Sequence, residues 1–80
     1  MAELEFLGRL SVAFGDKMTK ALPANINTVA SLKLWLDTEH GGAHLSAPTV
    51  RAIVNHEIAS DSHAITDNDI IAFYPPVGGG

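Results

Sequence analysis

Thr28-Val29-Ala30-Ser31-Leu32-Lys33-Leu34-Trp35-Leu36-Asp37-Thr38-Glu39 carries its apolar residues at helical spacing. Val29, Leu32 and Leu36 fall at i, i+3 and i+7, which places them on one face, with Trp35 at the edge of that stripe. Thr28 supplies a side-chain oxygen at the N-cap, and His40-Gly41-Gly42 stops the helix after about Glu39. A single helix of this kind buries one stripe and needs one surface to bury it against. The fold therefore turns on what lies to either side.

Strand signals flank it. Upstream, Glu3-Leu4-Glu5-Phe6-Leu7 starts as an alternation with Leu4 and Phe6 on one face, and Lys17 to Leu22 reads as a second strand ended by Pro23. Between them, Gly8 to Phe14 reads as a short helical turn presenting Leu10 and Phe14, closed by Gly15. Downstream, Val50 to Val54 is rich in β-branched residues, and Asn55-His56 is a tight turn into Glu57-Ile58. Asp67-Asn68-Asp69 is a further turn feeding a last strand, Ile70-Ile71-Ala72-Phe73-Tyr74. One amphipathic helix covering one face of a mixed sheet is a two-layer α+β domain, and a β-grasp arrangement satisfies this order.

Eighty residues of 8.5 kDa set one domain and a small core. The net charge is −4, and the five basic residues, Arg9, Lys17, Lys20, Lys33 and Arg51, are scattered singly. This argues against nucleic acid as a partner, since its binding needs a clustered basic face. Cysteine is absent, so disulfides and thiolate zinc sites are excluded as well. No apolar run approaches the roughly 20 residues that span a bilayer, and the start lacks a signal peptide's features, so no membrane and a cytoplasmic location are expected.

The segment after the last strand is the most unusual. Pro75-Pro76-Val77-Gly78-Gly79-Gly80 follows Tyr74 directly, which divides the chain into a domain over 1–74 and an extended, flexible tail over 75–80. Neither proline donates to a sheet ladder, and two in succession favour a stiff stem. Three glycines then give a filament without side chains. Fully extended, the six residues reach about 20 Å. Such a tail fits a channel too narrow for any Cβ and delivers the carboxylate of Gly80 deep inside a partner. Fraying is the ordinary fate of terminal glycines, but here they follow a strand and a Pro-Pro stem.

Val54-Asn55-His56-Glu57, then Ile65-Thr66-Asp67-Asn68-Asp69-Ile70-Ile71-Ala72-Phe73-Tyr74-Pro75-Pro76-Val77-Gly78-Gly79-Gly80, resembles the C-terminal half of the small subunit of molybdopterin synthase, the MoaD-like family of ubiquitin-like sulfur carriers. The N-terminal half is similar more loosely, through Phe6-Leu7-Gly8, Leu10, Gly15 and Thr28-Val29 with Leu32 and Leu36. Asn68 replaces the family's usual turn glycine, a mild change for a residue that also adopts the left-handed conformation. Gly78 fills a variable position, so the family's diglycine maps to Gly79-Gly80.

The resemblance implies a β-grasp sulfur carrier that binds no cofactor itself. A ubiquitin-activating-type adenylyltransferase uses ATP to adenylate Gly80, and sulfur then replaces AMP to give a thiocarboxylate. The loaded tail enters the large synthase subunit and gives its sulfur to the cyclic pyranopterin precursor, forming the dithiolene of molybdopterin. Gly80 and Gly79 are then the reacting end, with Tyr74, Pro75, Pro76, Val77 and Gly78 as partner-binding residues. Acids, bases and anion-binding groups come from the partners, so the chain is a carrier subunit and not catalytic alone. A thiazole-type carrier, a modifier conjugated through Gly80 and a plain binding module are the competing readings. A thiazole carrier is not expected to have the Pro-Pro stem, and a binding module would tolerate loss of the tail.

Other constellations have plainer explanations. His40 and His44 have ligand-like spacing, but Gly41-Gly42 between them breaks a helix and no third ligand is apparent, so no metal is expected. Asp67 and Asp69 fit a hairpin turn with Asx character. Gly41-Gly42 lacks the strand and helix of a phosphate loop. Of Phe73, Tyr74 and Trp35, at least one is expected in the core, with Tyr74 favoured for an interface by its place beside the tail.

Overall fold

The computed structural model describes residues 1–76. Seven elements follow one another: β1 (Ala2–Phe6), α1 (Leu10–Phe14), β2 (Lys17–Lys20), α2 (Val29–His40), β3 (Arg51–Val54), β4 (Glu57–Ala59) and β5 (Ile70–Tyr74). The strands form one sheet in the order β2-β1-β5-β3-β4. The β1–β5 pair is parallel and the other pairs are antiparallel, so the first and last strands meet at the centre. This is a mixed five-stranded sheet with one main helix, as the sequence predicts.

Alternation decides which residues face α2. Ala2, Leu4 and Phe6 of β1, Ala52 and Val54 of β3 and Ile71 and Phe73 of β5 point inward and are buried, together with Val29, Leu32 and Leu36 of α2. Leu10 and Phe14 of α1 close one end, Phe14 stacking on Phe6 at 4.6 Å between ring centres and Phe6 stacking on Phe73 at 5.8 Å.

Helix α2 buries more than its apolar stripe. Lys33 and Asp37 lie on the same face, 3% and 4% exposed, where the sequence expectation named only Val29, Leu32 and Leu36. Both have bonding partners, as buried charge requires. Lys33 Nζ donates to Val50 O at 2.7 Å and pairs with Asp61 at 2.8 Å. The Asp37 carboxylate accepts from Leu45 N, Ser46 N and Ser46 Oγ. These two side chains fasten the loops on either side of β3 and β4 to the helix.

The helix ends are satisfied in the same economical way. Thr28 and Ser31 form a reciprocal capping box, while Val29 N and Ala30 N donate to His63 O and Asp61 O. His40 remains helical, one residue beyond the expected end, and Gly41 caps it in the left-handed conformation.

Three local expectations change. The second strand stops at Lys20 and not Leu22, because Leu22 N donates to Asp67 Oδ1 at 2.7 Å instead of to a neighbouring strand. The turn at 67–68 joins no hairpin, and its local bonds run from Thr66 N to Asp69 Oδ2 and from Asn68 N to Thr66 Oγ1. Asn68 needs no left-handed backbone. Among the described non-glycine residues, that conformation belongs to Asn55 and His56, at φ 50° and 73°, the pair required by a tight β3–β4 hairpin turn.

Candidate functional site

Strand β5 carries the stem out of the sheet. Its partners on both sides fix Tyr74: β3 sets Tyr74 opposite Arg51, while on the β1 side Leu7 N donates to Phe73 O at 2.9 Å. Phe73 points into the core and is fully buried, whereas Tyr74 points to the opposite face and is half-buried. Pro75 and Pro76 follow without regular structure and are also half-buried. Val77, Gly78, Gly79 and Gly80 lie outside the described residues.

Tyr74 opens onto the sheet face that α2 does not cover. Register places Ile70, Ala72 and Tyr74 of β5, Arg51 and Ile53 of β3 and Ile58 of β4 together there. Ile58 is 76% exposed and Ile70 is 38% exposed. Thr49, Arg51, Ile58, Tyr74 and Pro76 line a groove of about 450 Å³ beside the stem. On the β1 and β2 side the same face turns polar, with Glu3, Glu5, Lys17 and Thr19. The apolar half thus adjoins the tail, and the charged half lies away from it.

Ile53, Ile58 and Arg51 were not singled out in the sequence, although a signal was present. Strand β5 is apolar at all five positions, a pattern suited to burial on both faces, while one main helix covers only one. A second covering surface is implied by that mismatch.

The residues that fit plainer explanations stay apart from this site. Trp35 packs against the core on the β2 side, with Lys20 Nζ 5.0 Å from its ring centre. His40 and His44 are exposed and lean on Phe14, at 4.5 and 5.5 Å between ring centres, and His40 Nδ1 lies 3.0 Å from Leu36 O. Among the described residues no three histidine or acidic side chains gather as a metal site. Asp67 serves the fold. Its carboxyl is held below the ordinary carboxylate range chiefly by the Leu22 N–H, against an opposing effect of burial and with help from the Met1 ammonium 3.3 Å away. No described helix is long and apolar enough to cross a membrane.

Comparison with known proteins agrees with this architecture. No curated protein matches the sequence. Among solved structures, small archaeal modifier protein 1 from Haloferax volcanii superposes with a TM-score of 0.74 at 23% identity, covering 99% of this chain and 98% of that one. A Pyrococcus furiosus protein assigned as molybdopterin converting factor, subunit 1, gives a TM-score of 0.76 at 20% identity, covering 95% and 97%. The modifier protein 1 from Methanosarcina acetivorans gives 0.69 at 17% identity, covering 99% and 95%. These likenesses establish the ubiquitin-like β-grasp fold. The profile of the ThiS family matches residues 4–80, all but the first three residues of the chain, and the chain therefore belongs to the ThiS family.

Proposed function

We propose that this protein is a sulfur carrier of molybdenum cofactor biosynthesis, the small subunit of a molybdopterin synthase. The observation that carries the reading is the segment Pro75-Pro76-Val77-Gly78-Gly79-Gly80, which follows the central strand β5 of a ThiS-family fold without a linker.

A carboxylate is a poor acyl donor, so the Gly80 carboxylate first attacks the α-phosphorus of ATP on an activating enzyme, and pyrophosphate leaves. Sulfur delivered by that enzyme system at the sulfide level, as HS⁻, then attacks the acyl carbon, and AMP departs with one of the former carboxylate oxygens. The product is a thiocarboxylate. Glycine gives the least hindered carbonyl for both steps. The large synthase subunit receives the loaded tail; the thiocarboxylate sulfur bonds to a carbon of the pyranopterin precursor in place of an oxygen substituent, and water then cleaves the acyl–sulfur bond and returns the Gly80 carboxylate. The apolar half of the open sheet face, with Tyr74, Ile58 and Ile53, supplies contact area for these partners, and Arg51 adds a charge beside the tail. Tyr74→Ala weakens docking to the large subunit without unfolding the domain.

A second reading has one observation in its favour. Two of the structures similar in fold are modifier proteins, and conjugation through Gly80 to lysine starts from the same adenylate. Intact mass spectrometry of protein from its native host separates the readings. A gain of about 16 Da, sulfur for oxygen, marks the carrier, whereas attachment to other proteins marks the modifier. Deleting Gly79-Gly80 leaves the fold intact and abolishes molybdopterin formation from precursor, large subunit, activating enzyme, ATP and a sulfur source. Each lost residue withdraws the carboxylate by about 3.3–3.6 Å. Full activity of the truncated chain refutes the assignment of Gly80.

A further inference from the structure

Gly8 lies where the chain leaves β1 for α1, at φ +56°. A Cβ built on it would stand 3.1 Å from Pro75 Cγ and 3.4 Å from Pro75 Cδ. The first distance is too short for ordinary packing, and the neighbour has little freedom to give way. The proline ring closes onto its own backbone nitrogen, so displacing Cγ and Cδ displaces the chain itself.

Gly8 is also held from behind. Its carbonyl accepts from Ser11 N at 3.2 Å and Ser11 Oγ at 2.9 Å. Ser11 belongs to α1, which Leu10 and Phe14 anchor in the core. The adjacent Leu7 N–H donates to Phe73 O, two residues before Pro75. A continuous run of contacts therefore connects the core through α1 and Gly8 to the stem.

The other described glycines differ. Gly15 and Gly41 have positive φ as well, yet a Cβ on either meets nothing within 4 Å, and Gly42 faces the far end of the His44 side chain. Backbone conformation explains Gly15 and Gly41 without further help. At Gly8 it leaves the close approach to Pro75 unexplained.

We infer that Gly8 is a positioning residue for the C-terminal segment: its bare Cα seats Pro75 and fixes the heading at which the chain leaves β5. The functional consequence rests on the carrier reading, in which Gly80 must reach a partner's active site. The seat itself does not. A change of heading at Pro75 shifts the Pro75-Pro76 stem that presents the terminal glycines to the partner, and misplacement of a reacting group by about 1 Å costs up to a hundredfold in rate.

The test introduces a Cβ with little backbone strain. Asparagine tolerates positive φ, so Gly8→Asn adds the side chain while Gly41→Asn adds one where no atom is near. Two quantities are measured on the full chain. The first is the heading of the stem, from the nuclear Overhauser contact between residue 8 and Pro75 and from residual dipolar couplings of the Tyr74 and Val77 amides. The second is kcat/KM for adenylation of Gly80 by the host's ubiquitin-activating-type enzyme with ATP. Gly8→Asn loses the contact, changes the couplings and lowers kcat/KM by about tenfold or more. Gly41→Asn changes neither beyond about twofold. Pro75→Ala removes the ring atoms that a new Cβ would strike, so the loss caused by Gly8→Asn shrinks in the Pro75→Ala background.

Unchanged couplings with wild-type adenylation in Gly8→Asn overturn the inference, as does an equal loss with and without the Pro75 ring. If the wild-type chain is not adenylated at all, the carrier reading fails, and the couplings still decide whether Gly8 seats the stem.

Discussion

Replacing Asp37 by asparagine exchanges one carboxylate oxygen for an NH₂ group with almost no change of volume, and it destabilises this domain severely. Asp37 Oδ1 accepts from Leu45 N at 2.9 Å, and Oδ2 accepts from Leu45 N at 3.0 Å, Ser46 N at 2.9 Å and Ser46 Oγ at 2.6 Å. An amide offers one oxygen where the carboxylate offers two. Turned either way, its NH₂ faces a backbone N–H of Leu45 or Ser46, and two donors confront each other. With the amide oxygen at the Oδ1 place, Ser46 N and Ser46 Oγ lose their acceptor; with it at the Oδ2 place they keep it, but the NH₂ then stands against the N–H of the fully buried Leu45. Losing the charge assistance of these bonds costs about 1.5–3 kcal/mol, and the forced donor-against-donor contact puts the expected loss at the upper end, about 3 kcal/mol. An 80-residue domain holds about 4–12 kcal/mol in all, so Asp37→Asn removes a quarter or more. In thermal unfolding this lowers Tm by about 12–24 °C. In urea it lowers the midpoint by about 3 M, for a slope near 1 kcal/mol/M. Ser46→Ala, which removes only the exposed partner, costs less than about 1 kcal/mol. A Tm for Asp37→Asn within about 3 °C of wild type would show that the 41–50 loop is not held by this carboxylate.

Two further perturbations probe other parts of the fold. Leu36→Ala empties a fully buried position on the inner face of α2 and costs about 2–5 kcal/mol; an unchanged urea midpoint would mean that the helix face is misassigned. Asp67 titrates below its ordinary value of 3.8 because the Leu22 N–H bonds its ionised form, so its contribution is complete above pH 3.8 and is lost as pH falls through the depressed folded value. Acid unfolding followed by circular dichroism should therefore be less steep in Asp67→Asn, and a carboxyl titration midpoint at or above 3.8 by NMR would contradict the assignment.

Features that depend on a few neighbouring residues were legible in the chain. The stripe of Val29, Leu32 and Leu36, the N-cap at Thr28 and the turn at Asn55-His56 follow from helical period, a capping oxygen and tolerance of positive φ. The end of pairing after Tyr74 was legible because proline lacks the N–H that a sheet ladder needs, and Pro75 and Pro76 follow β5 without regular structure. Strand limits were less so: β2 ends where Leu22 N finds Asp67, a partner 45 residues away that propensity does not register. The same is true of Asn55, whose amide donates to Asp69 Oδ1 and accepts from Ile70 N, tying the β3–β4 hairpin to the start of β5.

Sequence by itself determined that this is a two-layer α+β chain, because hydrophobic periodicity, caps and turns are local properties. Tertiary structure alone decided that Lys33 and Asp37 are buried, since a charge enters a core only where distant groups, here Val50 O, Asp61 and the 45–46 backbone, arrive to bond it. It also decided that Gly8 meets Pro75. Parallel pairing of β1 with β5 brings residues from opposite ends of the chain to the same edge of the core, and no spacing along the sequence encodes that approach.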